Sequence, residues 1–469
     1  MESFSDYSVW SFISILAVLL IAMLLANLIK KSVKFLKNSL VPTSVLGGLI
    51  LLVISITFES ITGKNIFDTE FFGSNGVVTM EILTYHCLAL GFIASALKNS
   101  TQKFTKERSK EIFNSGVTTV ATYLLQAVLG LGITIIAALI MTDFFSAAGI
   151  LLPFGFGQGT GQALNYGIMY ETENGFVGGR SFGLTIAALG FLAASIGGVV
   201  HMNILRRKGL VGNVNRDVSE KISLQDIQTA EEISINGSID KFTIQVALVF
   251  LAYSMTYGVL IGLSKLIPSF ATTLFGFNFL FGVLMATLLK AFMNLLKKKK
   301  IMKKEYVNNF MMNRISGFCF DLMVIAGIGA IRISVLKDYW VVIAILALVG
   351  TFSTYFYNLF IAKKMFKNYA QEQFLAMYGM LTGTASTGVI LLREIDKDFL
   401  TPASDNLVYQ QIPAIAFGFP IMLLAKLAPD KPVLTLIILV AFFVVMNIIL
   451  FRSYIFKKKN KGNTCTENN

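Results

Sequence analysis

The chain has 469 residues, of which 55% are hydrophobic and only 14% charged, with a mean hydropathy of +0.68. That balance excludes a soluble globular protein and predicts an all-α polytopic membrane protein, with the lipid bilayer as its solvent. The formal net charge of +13 does not predict a nucleic-acid partner, because the basic residues sit in short clusters beside apolar runs rather than on one folded face.

A bilayer span needs about twenty mostly apolar residues. In chain order such runs fall at 8–29, 42–58, 80–97, 116–142, 181–205, 243–263, 272–296, 316–336, 339–362, 405–427 and 433–455. The first follows Glu2 and Asp6 without a basic leader and reads as a retained span, not a cleaved signal. Pro42 suits a helix start, and Gly47-Gly48 suits close helix packing in the second. Basic clusters follow the first span (Lys30, Lys31, Lys34, Lys37), the third, the fifth (Arg206, Arg207, Lys208), the seventh, the ninth (Lys363, Lys364, Lys367) and the last. Every second connection is therefore basic, which predicts an outside N-terminus and a cytoplasmic C-terminus.

Two stretches do not fit the run of spans. Residues 149–170 contain Gly155 and Gly157-Gln158-Gly159-Thr160-Gly161; residues 374–394 contain Gly379, Thr382-Gly383-Thr384-Ala385-Ser386-Thr387, Gly388 and Arg393. They are too rich in Gly, Thr, Ser and Gln to face lipid, and irregular backbone at membrane depth is tolerated only under protein or beside a wet cavity. Full crossings would also invert the basic clusters between them. Both are predicted to be re-entrant hairpins, the first entering from outside and the second from the cytoplasm.

Residues 1–205, with a hairpin near 149–170, then form one five-span repeat. Residues 243–427, with a hairpin near 374–394, form a second repeat, inverted because five is odd. Gly155, Gly159 and Thr160 recur as Gly379, Gly383 and Thr384 at one constant offset. Residues 206–242 read as a cytoplasmic linker, and 428–469 as an extra span with a cytoplasmic tail.

Carbonyls and hydroxyls suit a small cation such as sodium, and N–H groups at a half-helix start favour a carboxylate. Gly157, Gln158, Gly159, Thr160, Gly161, Thr382, Gly383, Thr384, Ser386 and Thr387 are therefore the candidate substrate- and ion-binding residues, with Thr160 and Thr384 as sodium ligands; the alternative reading is small-residue helix packing. Arg393 reads either as a clamp on a substrate carboxylate or as an interfacial arginine beside Glu394. Arg180 is expected to pair with Glu171 or Glu173. Arg332, near the end of the eighth span, either faces the hairpin or snorkels outward; Asp321, near the cytoplasmic start of that span, reads as a cap or a cation's partner rather than an ion site, and Lys290 is expected to snorkel to the cytoplasmic interface. His86 and His201 have no partner at ligand spacing, and the three cysteines define no metal or disulfide framework. No nucleophile, acid–base or phosphate-loop constellation lies in the spans, so no catalytic residue, enzyme activity or organic cofactor is predicted.

Val41-Pro-Thr-Ser-Val-Leu-Gly-Gly-Leu, Gly157-Gln-Gly-Thr-Gly, Ile196-Gly-Gly-Val-Val, and Lys367-Asn-Tyr ahead of Gly379 and Gly383 together resemble the sodium:glutamate symporter family of bacterial secondary transporters, over most of the chain. The resemblance implies two inverted repeats and an elevator-like movement of a hairpin-bearing core against a dimerising scaffold. It further implies a homodimer in the bacterial cytoplasmic (inner) membrane that takes up L-glutamate, with sodium as the coupling ion. The sequence departs from the family at Gln158, where the family often has His, at Ser386, where it has Pro, at Arg393, which need not be basic, and in its eleventh span. Since these departures fall at the presumed site, another carboxylate or amino acid is the alternative substrate, and a gated channel the alternative class.

Overall fold

The structure is a computed structural model, and it describes residues 4–34, 36, 39–98, 105–209, 239–302, 306–396 and 400–455. Among these residues there are helices and short 3-10 turns but no strands. The helices are α1 (Tyr7–Ser32), α2 (Thr43–Thr62), α3 (Gly76–Leu97), α4 (Lys106–Ile140), α5 (Leu151–Gln158), α6 (Thr160–Asn174), α7 (Gly179–Arg207), α8 (Lys241–Leu266) and α9 (Ala271–Gly276). They continue with α10 (Asn278–Lys298), α11 (Asn309–Gly329), α12 (Trp340–Met365), α13 (Ala370–Thr382), α14 (Ala385–Arg393), α15 (Ala403–Tyr409), α16 (Gln411–Leu427) and α17 (Pro432–Ile455).

Ten of the described helices are long and apolar enough to cross a membrane, and α15 with α16 make one further candidate, bent by 50°. The tenth expected span, 405–427, is thus a bent pair rather than one rod. The eighth also differs: it runs over Asn309–Gly329 instead of 316–336. Asn308 caps its start by accepting from the Met311 amide, so the helix begins ahead of Arg314. Arg332 consequently lies beyond the helix end, where its guanidinium pairs with Asp68 at 3.1 Å, and Asp321 falls within the helix rather than near its start. Lys290 directs its ammonium to the Lys98 carbonyl. Most of the expected linker, 210–238, and the tail from 456 lie outside the described residues.

Packing sorts the long helices into two groups. In the first, α1 packs on α2 and α8 on α10; α2 packs on α11 and α10 on α3; α3 and α11 lie against each other. Gly47 and Gly48 make the α2–α11 approach close, since a Cβ at Gly48 would stand 2.7 Å from the Ile328 Cβ. In the second group α4 crosses α12, α7 packs on α12, and α16 packs on α4. Exchanging 1–205 for 243–427 maps α1–α2 onto α8–α10, α2–α11 onto α10–α3 and α7–α12 onto α16–α4, and maps α3–α11 and α4–α12 each onto itself. Two lysines or arginines occupy the last turn of each of α1, α7, α10 and α12, and a single one that of α8 (Lys265), α14 (Arg393), α16 (Lys426) and α17 (Arg452).

Four of the short helices, α5, α6, α13 and α14, belong to the second group. Each has 15 residues or fewer, about 22 Å at most, and so none crosses a hydrocarbon core of about 30 Å alone. They form two hairpins. Phe154 on α5 and Tyr166 on α6 stack at 4.0 Å between centroids with planes 1° apart, which requires the chain to fold back at Gly159. In the other hairpin a Cβ at Gly379 would stand 2.8 Å from the Gly388 Cα, and one at Gly388 only 2.4 Å from the Ala376 carbonyl. Helix arms approach this closely only where both sides lack a side chain.

Candidate functional site

The two helix breaks meet. Gly159 sits at φ 80°, ψ −170°, a region essentially restricted to glycine, and a Cβ there would lie 3.3 Å from Thr384 Cγ2 and 3.7 Å from the Gly383 carbonyl. The second break runs through Gly383, at φ −149°, ψ −108°. Helix α7 passes both hairpins at Gly190, where a Cβ would stand 2.6 Å from the Thr382 carbonyl and 3.0 Å from the Phe156 ring.

Each break brings together one helix C-terminus and one helix N-terminus. α5 ends at Gln158 and α13 at Thr382, with carbonyls pointing onward; α6 begins at Thr160 and α14 at Ala385, with unpaired N–H groups. Partial negative charge for a cation and partial positive charge for an anion therefore converge in one place. Helix α4 holds the carbonyl ends: Tyr123 donates to the Gly157 carbonyl at 3.0 Å and Gln126 to the Leu381 carbonyl at 2.9 Å. Gly157 and Leu381 occupy corresponding positions, each two residues ahead of its break glycine.

The predicted site residues divide by location. Gly159, Gly383 and Thr384 are brought together, and Thr384 lies 3.4 Å, hydroxyl to hydroxyl, from the buried Thr387. Thr160, 0% exposed, is turned toward α11 and donates to the Met323 carbonyl at 3.1 Å. Thr382 donates to the Tyr378 carbonyl of its own helix. Gly157 lies under the Tyr123 ring and Gly161 under Leu88. Gln158 is half-buried and Ser386 exposed. Arg393 is not brought to the break: it is exposed in the last turn of the nine-residue α14, about 13 Å along the arm from Thr384.

Sequence reasoning missed the polar face of α4. Glu111, Ser115, Thr119, Thr122 and Gln126 recur at helical spacing along one side of an otherwise apolar helix. In the structure they form a file beside the second hairpin. Tyr369 donates to Glu111, Gln373 to Ser115 at 3.0 Å, and Asn406 to Gln373 at 2.8 Å; Ser115 and Thr119 both donate to Gln410. The periodic polar stripe was a visible signal, but nothing in the sequence names its partners. A second missed cluster lies on α6, where Asn165 donates to Gln162 and to the Gly276 carbonyl, both at 3.1 Å. His86 meets the Tyr253 hydroxyl, and His201 meets Tyr355 and Gln371. No group of three or more His, Cys, Asp or Glu side chains able to hold a metal occurs among the described residues.

The ten long apolar helices define an all-α, multi-pass membrane protein. Comparison with protein-family models, curated proteins and solved structures finds no match.

Proposed function

We propose that this protein is a secondary transporter that couples sodium entry to the uptake of a small carboxylate, L-glutamate foremost, across a bacterial cytoplasmic membrane. The observation that carries the reading is the contact between Gly159 of one hairpin and Thr384 and Gly383 of the other. Interrupted helices at corresponding places in two halves are the usual construction of a transporter's binding site. The exchange of packing partners between the halves supports an internal two-fold, and the odd span count of each half supports its being inverted. The paired basic residues in the last turns of α1, α7, α10 and α12, against single ones in α8 and α16, support the cytoplasmic assignment of those four ends. On this reading the hairpins are re-entrant, the second helix group moves as an elevator, and the first is the scaffold through which two copies pair.

Sodium entering with the membrane potential releases about 2.3 kcal/mol per charge per 100 mV, and the bound ion offsets the cost of desolvating an anion. Because Arg393 stands an arm's length from the break, the carboxylate falls to the N–H groups at the starts of α6 and α14. Those groups recognise any small carboxylate, which makes a hydroxy- or dicarboxylate the second reading.

Uptake of radiolabelled L-glutamate into proteoliposomes, under an imposed sodium gradient, a proton gradient and neither, tests the reading. Sodium-driven accumulation lost in folded Gly159→Ala and Thr384→Ala protein is the expected result. Failure to accumulate glutamate, aspartate, malate or citrate under every gradient overturns it.

A further inference from the structure

The crossing of α4 and α12 carries two carboxamides whose oxygens have no hydrogen-bond donor. Gln126 and Asn358 are 0% and 2% exposed, and Gln126 Oε1 and Asn358 Oδ1 are without a partner. Their orientation is set by chemistry. Gln126 Nε2 donates to the Leu381 carbonyl at 2.9 Å and to Thr354 Oγ1 at 2.8 Å. Asn358 Nδ2 donates to the Thr354 carbonyl at 2.9 Å and to Thr122 Oγ1 at 3.3 Å. A main-chain carbonyl can only accept, so the nitrogen of each amide must face it, and flipping either amide would set oxygen against oxygen.

The four side chains form two rungs of an antiparallel crossing, Gln126 to Thr354 and Thr122 to Asn358, with i, i+4 spacing on both helices. Thr122 spends its hydrogen on the Thr118 carbonyl at 2.8 Å. At the crossing the N–H groups of both amides and the Thr122 hydrogen are thus committed, while Gln126 Oε1 and Asn358 Oδ1 remain as buried acceptors without a donor. Leaving such acceptors dry costs about 1–3 kcal/mol each. Neutral carboxamide, hydroxyl and carbonyl oxygens are hard donors that suit a small alkali cation better than a transition metal.

We infer that Gln126 and Asn358, with the hydroxyls of Thr122 and Thr354, bind a sodium ion at the α4–α12 crossing, distinct from any ion held by the hairpin threonines. The inference rests on the transport reading for its purpose but not for its geometry. It also supplies a coupling route. The amide of Gln126 that would ligate the ion also holds the Leu381 carbonyl at the end of α13, so an ion that orders Gln126 orders the second break. Occupancy then favours the hairpin arrangement that receives substrate.

The test is thermal unfolding of the purified full chain against sodium chloride, with choline chloride at equal ionic strength as control, beside sodium-dependent uptake in proteoliposomes. Sodium is expected to raise the midpoint of the wild type. Gln126→Leu and Asn358→Leu are expected to raise the half-saturating sodium concentration at least tenfold. Asn358→Asp, which keeps the shape and adds charge, is expected to retain or lower it and shows that the crossing still folds. Unchanged half-saturation in both leucine variants overturns the site and leaves a buried water as the partner of these oxygens, as does a wild type indifferent to sodium. A sodium response lost in the leucine variants, without uptake of any carboxylate, upholds the ion site while the transport reading fails. Sodium-driven uptake with unchanged sodium dependence in those variants does the reverse.

Discussion

The guanidinium of Arg180 donates to the Glu81 carboxylate at 2.7 Å, tying the start of α7 to α3 and so one helix group to the other. Its Nε lies 3.3 Å from Glu171, the partner expected for it, while Glu173 lies 3.9 Å from Lys426. Glu81 had no assigned role in the sequence, because a single carboxylate in an apolar run does not announce its partner.

Glu81→Ala should lower the unfolding midpoint in detergent by the equivalent of about 1–3 kcal/mol. That is below the 3–5 kcal/mol of a fully buried broken pair, since the Arg180 side chain is 29% exposed and keeps Glu171. Glu81→Ala combined with Arg180→Ala should cost less than the sum of the two. Strict additivity would show that the groups do not interact.

Gly388→Ala should be tolerated far worse than Gly258→Ala. The first places a methyl 2.4 Å from the Ala376 carbonyl, whereas the second meets nothing within 4 Å. Forcing the α13 and α14 arms apart costs about 1–3 kcal/mol, while Gly258→Ala in mid-helix is neutral or stabilising by up to about 1 kcal/mol. Equal midpoints for the two variants would contradict the close contact of the arms.

Tyr170→Phe should destabilise by about 1–3 kcal/mol. The Tyr170 hydroxyl donates to the Ala425 carbonyl at 2.7 Å, and four residues beyond Ala425 stands Pro429, which has no N–H to offer. Removing the hydroxyl therefore orphans a buried carbonyl. A Tyr170→Phe midpoint equal to wild type would mean that water reaches that carbonyl.

Asp396 predicts an acid sensitivity. Partial burial pushes its carboxyl up, but the hydroxyl and amide of Thr401 and the amide of Leu400 outweigh this and hold its pKa below the usual aspartate range. A group depressed on folding stabilises fully above its unfolded pKa, about 3.9, and loses that contribution as pH falls through the folded value. Asp396→Asn should be less stable than wild type at pH 7, and the gap should close below about pH 4. A gap independent of pH between 7 and 3 would assign the loss to shape rather than charge.

The span pattern was legible because hydropathy is a local property and bilayer thickness sets the length. Ten of the eleven expected runs fall on one long helix each, although α4 starts ten residues early, at Lys106, and α11 is shifted; the eleventh, 405–427, is the bent pair α15 and α16. Arg314 concealed the first turns of α11, because a charge at a span end reads as a boundary whether or not a cap lies further out. That the chain breaks near Gly159 and Gly383 was legible from glycine and hydroxyl density.

The sequence by itself therefore determined which segments are apolar enough to cross a membrane and where two further stretches between them must break, since both follow from residues adjacent in the chain. Only the tertiary structure decided what each polar side chain faces. Gln126 and Thr354 are 228 residues apart, and Thr122 and Asn358 236 apart. Each is an isolated polar residue in an apolar run until the antiparallel crossing of α4 and α12 sets them in register. Arg393 shows the converse: nearness to Thr384 in sequence is undone by the rise of a helix, which carries the charge away from the break that the glycines create.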